Sequence, residues 1–234
     1  MAAQQAMNSA GTRTIDELRC AILAGEWEPG EKLPPAALAE RFRTSTTVVR
    51  EALTRLSGAD LVVAKPNRGF FVRDLTLREL SDITELRCTT EELALRLSLE
   101  RGDVQWESDV IAAHHQLVRT PRRRKDDPTH ISEDWASAHR RFHLALLGAC
   151  NCEPMIRLAS NLADSTELYR RWAAPSVAAT VRNVEEEHRL ILEAVLARDI
   201  DRAAELLRSH YEATVQVVLR SGLDWTGASK STAG

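Results

Sequence analysis

The segment "HRRFH" places two histidines, His139 and His143, four residues apart. Side chains at i and i+4 share one face of an α-helix, which lets a helix present two imidazoles to one metal ion. Phe142 between them is apolar and predicts a core-facing position. A zincin hydrolase needs H-E-x-x-H with Glu as general base, and Arg140 stands in that place. The segment therefore predicts a pair of metal ligands without the base of that enzyme class.

Two further histidines, His188 and His210, are placed to complete such a site. They lie eleven residues before and eleven residues after Asp199, where we expect a turn between two helices. In an antiparallel hairpin both then stand at the same height, ~16 Å from the turn at a rise of ~1.5 Å per residue. The other histidines, His114, His115 and His130, are predicted to be surface residues. Four ordinary part-buried histidines remain the alternative.

The elements that would position these histidines are helices. Apolar residues recur at helical spacing after residue 76, as at Leu80, Leu86 and Leu93, and Gly102 is a stop signal. Further helices are predicted over about 103–118, 132–149, 154–173, 177–197 and 200–220. The basic run in "RTPRRRKDDPTHIS" is predicted to be a solvated connection. An all-α antiparallel helix bundle is the expected class for residues 75–222.

The preceding segment, residues 13–74, has a different character. Its window from Arg41 to Arg73 contains seven Arg or Lys and two acids, about +5, although the whole chain has a net charge of −3. A basic patch on an acidic protein indicates an anionic partner for that patch. Three short helices and a hairpin around "KPNRG" predict a winged helix-turn-helix. The fold class is therefore mainly α.

In such a domain the third helix reads DNA. Ser45 or Thr44 is placed as its N-cap, and Ser45, Thr46 and Thr47 offer hydroxyls to phosphates beside the positive end of the helix dipole. Arg50 lies one turn on, within reach of a base edge or a phosphate. At the wing tip, Asn67 and Arg68 are predicted to enter the minor groove, and Gly69 permits the tight turn.

The run "LPPAALAERFRTSTTVVREALTRLSGADLVVAKPNRGFFV" resembles the DNA-binding domain of the GntR family of bacterial transcription regulators. The likeness rests on "LA" before the turn, "V-R-E-A-L-x-R-L" and the "G-F-F-V" wing. The resemblance implies DNA contacts by Thr46, Thr47, Arg50 and Gly69. Since Arg residues that many relatives carry are absent at Ala36 and Thr46, charge contacts are expected from Arg50, Arg68 and Lys65.

Residues 76–220 resemble the all-helical FCD effector domain of the FadR-like branch of that family. Phe142 with His143, "EEHRLIL" around His188 and "AAELLRSH" ending at His210 match its signature. The resemblance implies that His139, His143, His188 and His210 bind a divalent metal, with His139 standing where many members have Asp. It also implies an effector-binding role for Arg87.

The four-histidine set has a chemical consequence. Neutral imidazoles leave the +2 charge of an ion uncompensated, which favours an anionic ligand on its open positions. We therefore predict a small carboxylate effector that bridges the metal and Arg87. Imidazole-rich sites suit Zn, Ni or Cu, with Zn or Ni expected.

The function predicted from these features is a cytoplasmic, homodimeric transcription regulator that binds a pseudo-palindromic DNA operator, with repression as the expected sign. Two alternatives remain: a metalloregulator that senses the ion itself, and a metal-dependent hydrolase. No nucleotide-binding or serine-hydrolase motif is present, so an enzyme is not expected. No secretory signal or membrane span is predicted, and residues 1–12 and 223–234 are expected to be a disordered arm and a flexible tail.

Overall fold

The computed structural model describes the backbone of residues 2–222 and the side chains of residues 11–222. The chain divides between Thr76 and Leu77 into two compact units. Sequence analysis placed this boundary after residue 74. The predicted tail, residues 223–234, lies outside the described residues. Within the described part of the chain, no helix is both long and apolar enough to cross a membrane.

The first unit combines short helices with a small antiparallel sheet in the order β1-β3-β2. Its elements are α1 (Ala2–Leu23), β1 (Lys32–Leu33), α2 (Pro35–Arg41), α3 (Thr46–Gly58), β2 (Val62–Lys65) and β3 (Gly69–Val72). Helix α1 extends back to Ala2, where a disordered arm over residues 1–12 was expected. The segment is rich in Ala and Gln, which have high helix propensity. Strand β1 was not predicted, because two residues show no alternation.

Local signals fix α3 and the wing. The Ser45 hydroxyl oxygen accepts a hydrogen bond from the Val48 backbone N–H at 3.2 Å, which confirms Ser45 as the N-cap. Between β2 and β3, the Arg68 N–H donates to the Lys65 carbonyl at 3.0 Å, and Asn67 has φ of 56°. Pro followed by a left-handed Asn is the pair that a type II turn prefers. Gly69, with φ of 99°, completes the hairpin.

The second unit is an antiparallel helix bundle. Its helices are α4 (Leu77–Arg101), α5 (Val104–Arg119), α6 (Glu133–Leu147), α7 (Glu153–Ala173), α8 (Val177–Val181), α9 (Val184–Leu196) and α10 (Ile200–Leu219). Its core includes Leu95, Phe142, Leu146, Ile191 and Leu207, each at most 1% exposed. The core explains why α6, α9 and α10 turn one face inward.

The continuous helix expected over 177–197 was wrong. Helix α8 ends at Val181, Arg182 is extended, and α9 begins after Asn183, whose side chain accepts from the Glu186 N–H. The signal was present in the sequence as an N-cap Asn followed by three acidic residues in the first helical turn. This break is important because it places Arg182 beside His210.

Candidate functional site

The structure brings all four candidate histidines together inside the bundle. His139 and His143 lie on α6, His188 on α9 and His210 on α10, and each is at most 5% exposed. Four of their ring nitrogens, one from each residue, lie within 4.8 Å of one another. The rings of His188 and His210 are 4.8 Å apart, so the predicted equal height on the hairpin is confirmed.

The spacing of the nitrogens fits one metal ion. Nε2 of His143 lies 3.2 Å from Nε2 of His139 and 3.4 Å from Nε2 of His188. Four nitrogens at the usual zinc distance of 2.0–2.1 Å stand about 3.4 Å apart in a tetrahedron. Two such nitrogens facing each other share at most one hydrogen bond, so buried imidazoles at this spacing gain from a common cation. The donor set therefore fits a divalent ion.

Two of the rings form hydrogen bonds with neighbouring residues of the kind that orient metal-ligating histidines. Nδ1 of His210 lies 2.7 Å from a Glu187 carboxylate oxygen, and Nδ1 of His143 lies 3.2 Å from the Tyr211 hydroxyl. A proton on Nδ1 of His210 leaves the lone pair on Nε2. Metal-ligating histidines commonly donate their second N–H to a carboxylate in this way.

The fourth ring, that of His139, has different surroundings. It stacks on Trp135 with ring centres 4.7 Å apart, and Nη1 of Arg170 lies 2.8 Å from its Nδ1. The same Nη1 lies 3.3 Å from Nε2. An arginine can only donate, so the shorter contact, to Nδ1, favours the tautomer with the His139 proton on Nε2. Ligation of a metal through Nε2 then requires that proton to leave or the ring to turn. Of the four histidines, His139 is the one whose bonding must change.

The electrostatic environment keeps the imidazoles neutral. Burial lowers the pKa of His139, His143 and His188 well below the ordinary value, and neighbouring cations lower it further. Burial also lowers the pKa of His210, to about 4, although Glu187 acts in the opposite direction. For Glu187, burial raises the pKa, but hydrogen bonds from His210 and Arg182 outweigh it and leave a value of about 2. Neutral imidazole is the form that binds metal.

Arg87 does point into the bundle, as predicted, but it is paired. Its guanidinium bonds to Glu91 at 2.7 and 3.4 Å and lies 4.0 Å from the Tyr211 ring centre. The Tyr211 hydroxyl donates to the same carboxylate at 2.5 Å. Arg87 is not among the residues that line the cavity beside the histidines. An effector-binding role for Arg87 stays a prediction, and it requires this ion pair to open.

The cavity beside His139 and His210 is small, about 30 Å³, and is lined by three arginines that sequence analysis missed: Arg122, Arg170 and Arg182. Arg122 belongs to the run predicted to be a solvated connection, and for this residue that prediction was wrong. One predicted surface histidine differs too, since His114 is partly buried against Phe142 with ring centres 5.3 Å apart. The side chain of His130 is 41% exposed, as expected of a surface residue, and bonds to Asp127. His115 is exposed as expected.

In the first unit, the residues predicted to bind DNA lie on two features. Ser45, Thr46, Thr47 and Arg50 are exposed at the start of α3, and Asn67 and Arg68 are exposed at the wing tip. The guanidinium groups of Arg50 and Arg68 have no acidic partner among residues 11–222. Lys65 is partly covered: its Nζ lies 3.9 Å from Asp74 and 4.7 Å from the Phe71 ring centre. Gly69 is the turn residue described above.

Together these features define a protein with a winged helix-turn-helix unit and a helical unit that contains a four-histidine cluster. Residues 11–72 match the family "Bacterial regulatory proteins, gntR family", and residues 82–213 match the FCD domain family. The chain therefore belongs to the GntR family of bacterial transcription regulators, in the branch with an FCD domain, which confirms the resemblance and the fold class.

Individual relatives agree with this assignment. The chain is 38% identical over 210 residues to the HTH-type transcriptional regulator BphR of Paraburkholderia xenovorans, covering 90% of this chain and 85% of that protein. It is 30% identical over 200 residues to the HTH-type transcriptional repressor GlaR of Escherichia coli, covering 84% and 90%. The structure of McbR from E. coli has a TM-score of 0.73 at 23% identity, covering 90% and 97%, and shows the same fold. BphR and GlaR are both transcription regulators.

Proposed function

We propose that this regulator is a repressor whose helical unit binds a small carboxylate at a divalent metal held by His139, His143, His188 and His210. In this proposal it acts in the cytoplasm as a homodimer on a pseudo-palindromic operator. The observation that carries the proposal is the cluster itself: four buried imidazoles with donor nitrogens within 4.8 Å of one another. An isolated cluster of this kind has unfavourable nitrogen contacts unless a cation or shared protons relieve them.

The DNA-binding part of the proposal is supported by exposure and charge. Thr46, Thr47 and Arg50 are exposed at the N-terminal end of α3, where backbone N–H groups and the helix dipole favour a phosphate. Arg68 at the wing tip provides a second cation with no acidic partner within the described residues. Repression is supported by the relative GlaR, a transcriptional repressor that is 30% identical to this chain.

A carboxylate as effector is supported by the charge around the cluster. Arg170 and Arg182 lie against His139 and His210, and the cluster contains no carboxylate among its four donors. A bound divalent ion supplies positive charge and open coordination positions, and neutral imidazoles do not offset that charge. An anion is therefore the ligand that such a site stabilises. Zn or Ni suits the donor set.

The homodimer is supported by an apolar face on α4. Leu86 is 45% exposed and Leu93 is 51% exposed, and they lie seven residues apart on one side of the helix. Both residues belong to the apolar repeat that predicted this helix. Exposure of two leucines on one helix face favours their burial against another copy of the chain.

The test of the metal and effector combines composition with stability. Purified protein is analysed for bound metal, and its thermal unfolding is measured with zinc and a panel of small carboxylates, because a tight ligand raises the melting temperature. We expect about one metal ion per chain, a rise in Tm with zinc, and a further rise with a carboxylate. The double substitution His143→Ala/His188→Ala should abolish the zinc-dependent rise. An unchanged response would reduce the cluster to core histidines, and release of DNA by zinc alone would identify a metalloregulator.

The test of DNA reading compares two arginines on the same helix. Arg50→Ala should weaken operator binding by about tenfold or more and lower the salt dependence, because one phosphate or guanine contact is lost. Arg55, in the last turn of α3, is also exposed and provides the matched control, Arg55→Ala. Equal loss in both variants, measured by fluorescence anisotropy with an operator fragment at several salt concentrations, would contradict the assigned reading face.

A further inference from the structure

The cavity beside the histidine cluster contains one positive charge that the bundle does not neutralise. Arg182 bonds to the Glu187 carboxylate at 2.8 and 2.6 Å, and Arg170 forms an ion pair with Glu167. Arg122 has no such partner among the described residues. Of the three arginines that line the cavity, Arg170 and Arg182 each form an ion pair with a carboxylate, and Arg122 forms none within the described part of the chain.

The hydrogen bonds of Arg122 are also weak. Nη1 lies 3.5 Å from the Arg182 carbonyl oxygen, and Nη2 lies 3.5 Å from the Ala179 carbonyl oxygen. Nε is buried and has no partner. A guanidinium has five N–H donors, and burying such donors without acceptors costs free energy. Arg122 therefore has N–H donors that can form hydrogen bonds to a group with two acceptor oxygens.

Arg122 is held at a defined distance from the histidines. Its guanidinium lies 5.5 Å from the centre of the Trp135 ring, and Trp135 stacks on His139 with ring centres 4.7 Å apart and 22° between the planes. The distance from the guanidinium to the centre of the His139 ring is therefore at most the sum of these two distances. A molecule of a few carbon atoms spans such a gap.

We propose that Arg122 binds a second anionic group of the effector, so that the effector is a small dicarboxylate with one carboxylate at the histidine cluster and the other on Arg122. This inference rests on the proposed function. A carboxylate accepts two parallel N–H bonds from an arginine fork, which Arg122 has available.

Charge balance selects the dianion over a monoanion. With a divalent ion on the histidines, the cavity has an excess of positive charge, although Glu185 and Glu187 act on Arg122 electrostatically. A monocarboxylate leaves the half-buried Arg122 without an anionic partner, whereas a dicarboxylate supplies one and offsets one more charge. Sequence analysis assigned this second contact to Arg87, but Arg87 already has Glu91 as a partner.

The experiment compares succinate with butyrate, which has the same number of carbons and one carboxylate. Binding to the zinc-loaded, full-length protein is measured by isothermal titration calorimetry for the parent, Arg122→Gln and Arg122→Lys. Arg124→Gln is the matched control, because Arg124 lies in the same loop, is exposed and pairs with Asp126. Zinc uptake and the far-UV circular dichroism spectrum show whether each variant is folded.

We expect the parent to bind succinate at least tenfold more tightly than butyrate. Arg122→Gln should lose most of that preference because succinate binding falls more than butyrate binding, Arg122→Lys should retain part of it, and Arg124→Gln should retain all of it. If the parent binds the two acids equally, this inference is overturned, but a carboxylate effector remains in place. This comparison requires only the parent protein. If neither acid binds, the proposed function fails and this inference fails with it.

Discussion

The buried ion pair between Arg87 and Glu91 gives the sharpest prediction for stability. The two side chains are 8% and 2% exposed, and the Glu91 carboxylate also accepts from the Tyr211 hydroxyl. Glu91→Gln keeps the shape but leaves the Arg87 charge without a counterion in the core. Removal of one partner of a buried pair costs about 3–5 kcal/mol. We expect the free energy of unfolding of the metal-free protein to fall by about that amount, measured by urea denaturation with circular dichroism.

The control for this prediction is a solvent-exposed ion pair on the protein surface. Glu193 pairs with Arg189 on the surface of α9, where the two side chains are 57% and 47% exposed. Because exposed pairs contribute about 0–1 kcal/mol, Glu193→Gln should change the unfolding midpoint little. A loss below about 1 kcal/mol in Glu91→Gln would refute the reasoning, since it would mean that water or a shifted side chain replaces the carboxylate.

Three further predictions follow from the helical unit. Because the pKa of His210 falls from 6.5 to about 4 on folding, the unfolded chain takes up protons first as the pH drops. The metal-free protein should therefore lose about 1.6 kcal/mol of stability between pH 6.5 and 5 from this residue; a flat profile in urea titrations would contradict it. Gly102→Ala should lower the unfolding free energy by about 1–3 kcal/mol, since the new Cβ would lie 2.2 Å from the Trp106 ring. Gly58→Ala, where no neighbouring atom lies within 4 Å of the added Cβ, is the control and should change little. His139→Asp should keep zinc uptake and weaken succinate binding, because the aspartate offsets one charge of the ion; calorimetry showing tighter binding would oppose the charge argument.

The parts of the fold that were predicted correctly depend on local chemistry. Ser45 caps α3 and Pro66 with Asn67 forms the wing turn because neighbouring backbone groups alone satisfy the geometry. Strand β1 was missed because its two residues form a strand only by pairing with β3. The break between α8 and α9 was signalled by Asn183, and the apolar pattern around it was taken for a longer helix.

The candidate site was predictable where its geometry follows from helical periodicity. His139 and His143 share a face because they are four residues apart, and His188 and His210 meet because they are equally distant from one turn. The positions of the three cavity arginines do not follow from helical periodicity. Arg122 comes from a loop, Arg170 from α7 and Arg182 from the two-residue link between α8 and α9, so their meeting depends on how the helices pack.

The sequence by itself determined the two kinds of unit, the N-terminal cap of α3 and the clustering of the four histidines, because each is encoded by residues close in the chain or by helical register. Only the tertiary structure decided that Glu91 neutralises Arg87 and that Arg122, beside the Trp135 ring, has no ion-pair partner among the described residues. The physical reason is that charge pairing is settled by distances across the bundle and by burial. Neither can be inferred from spacing along the chain.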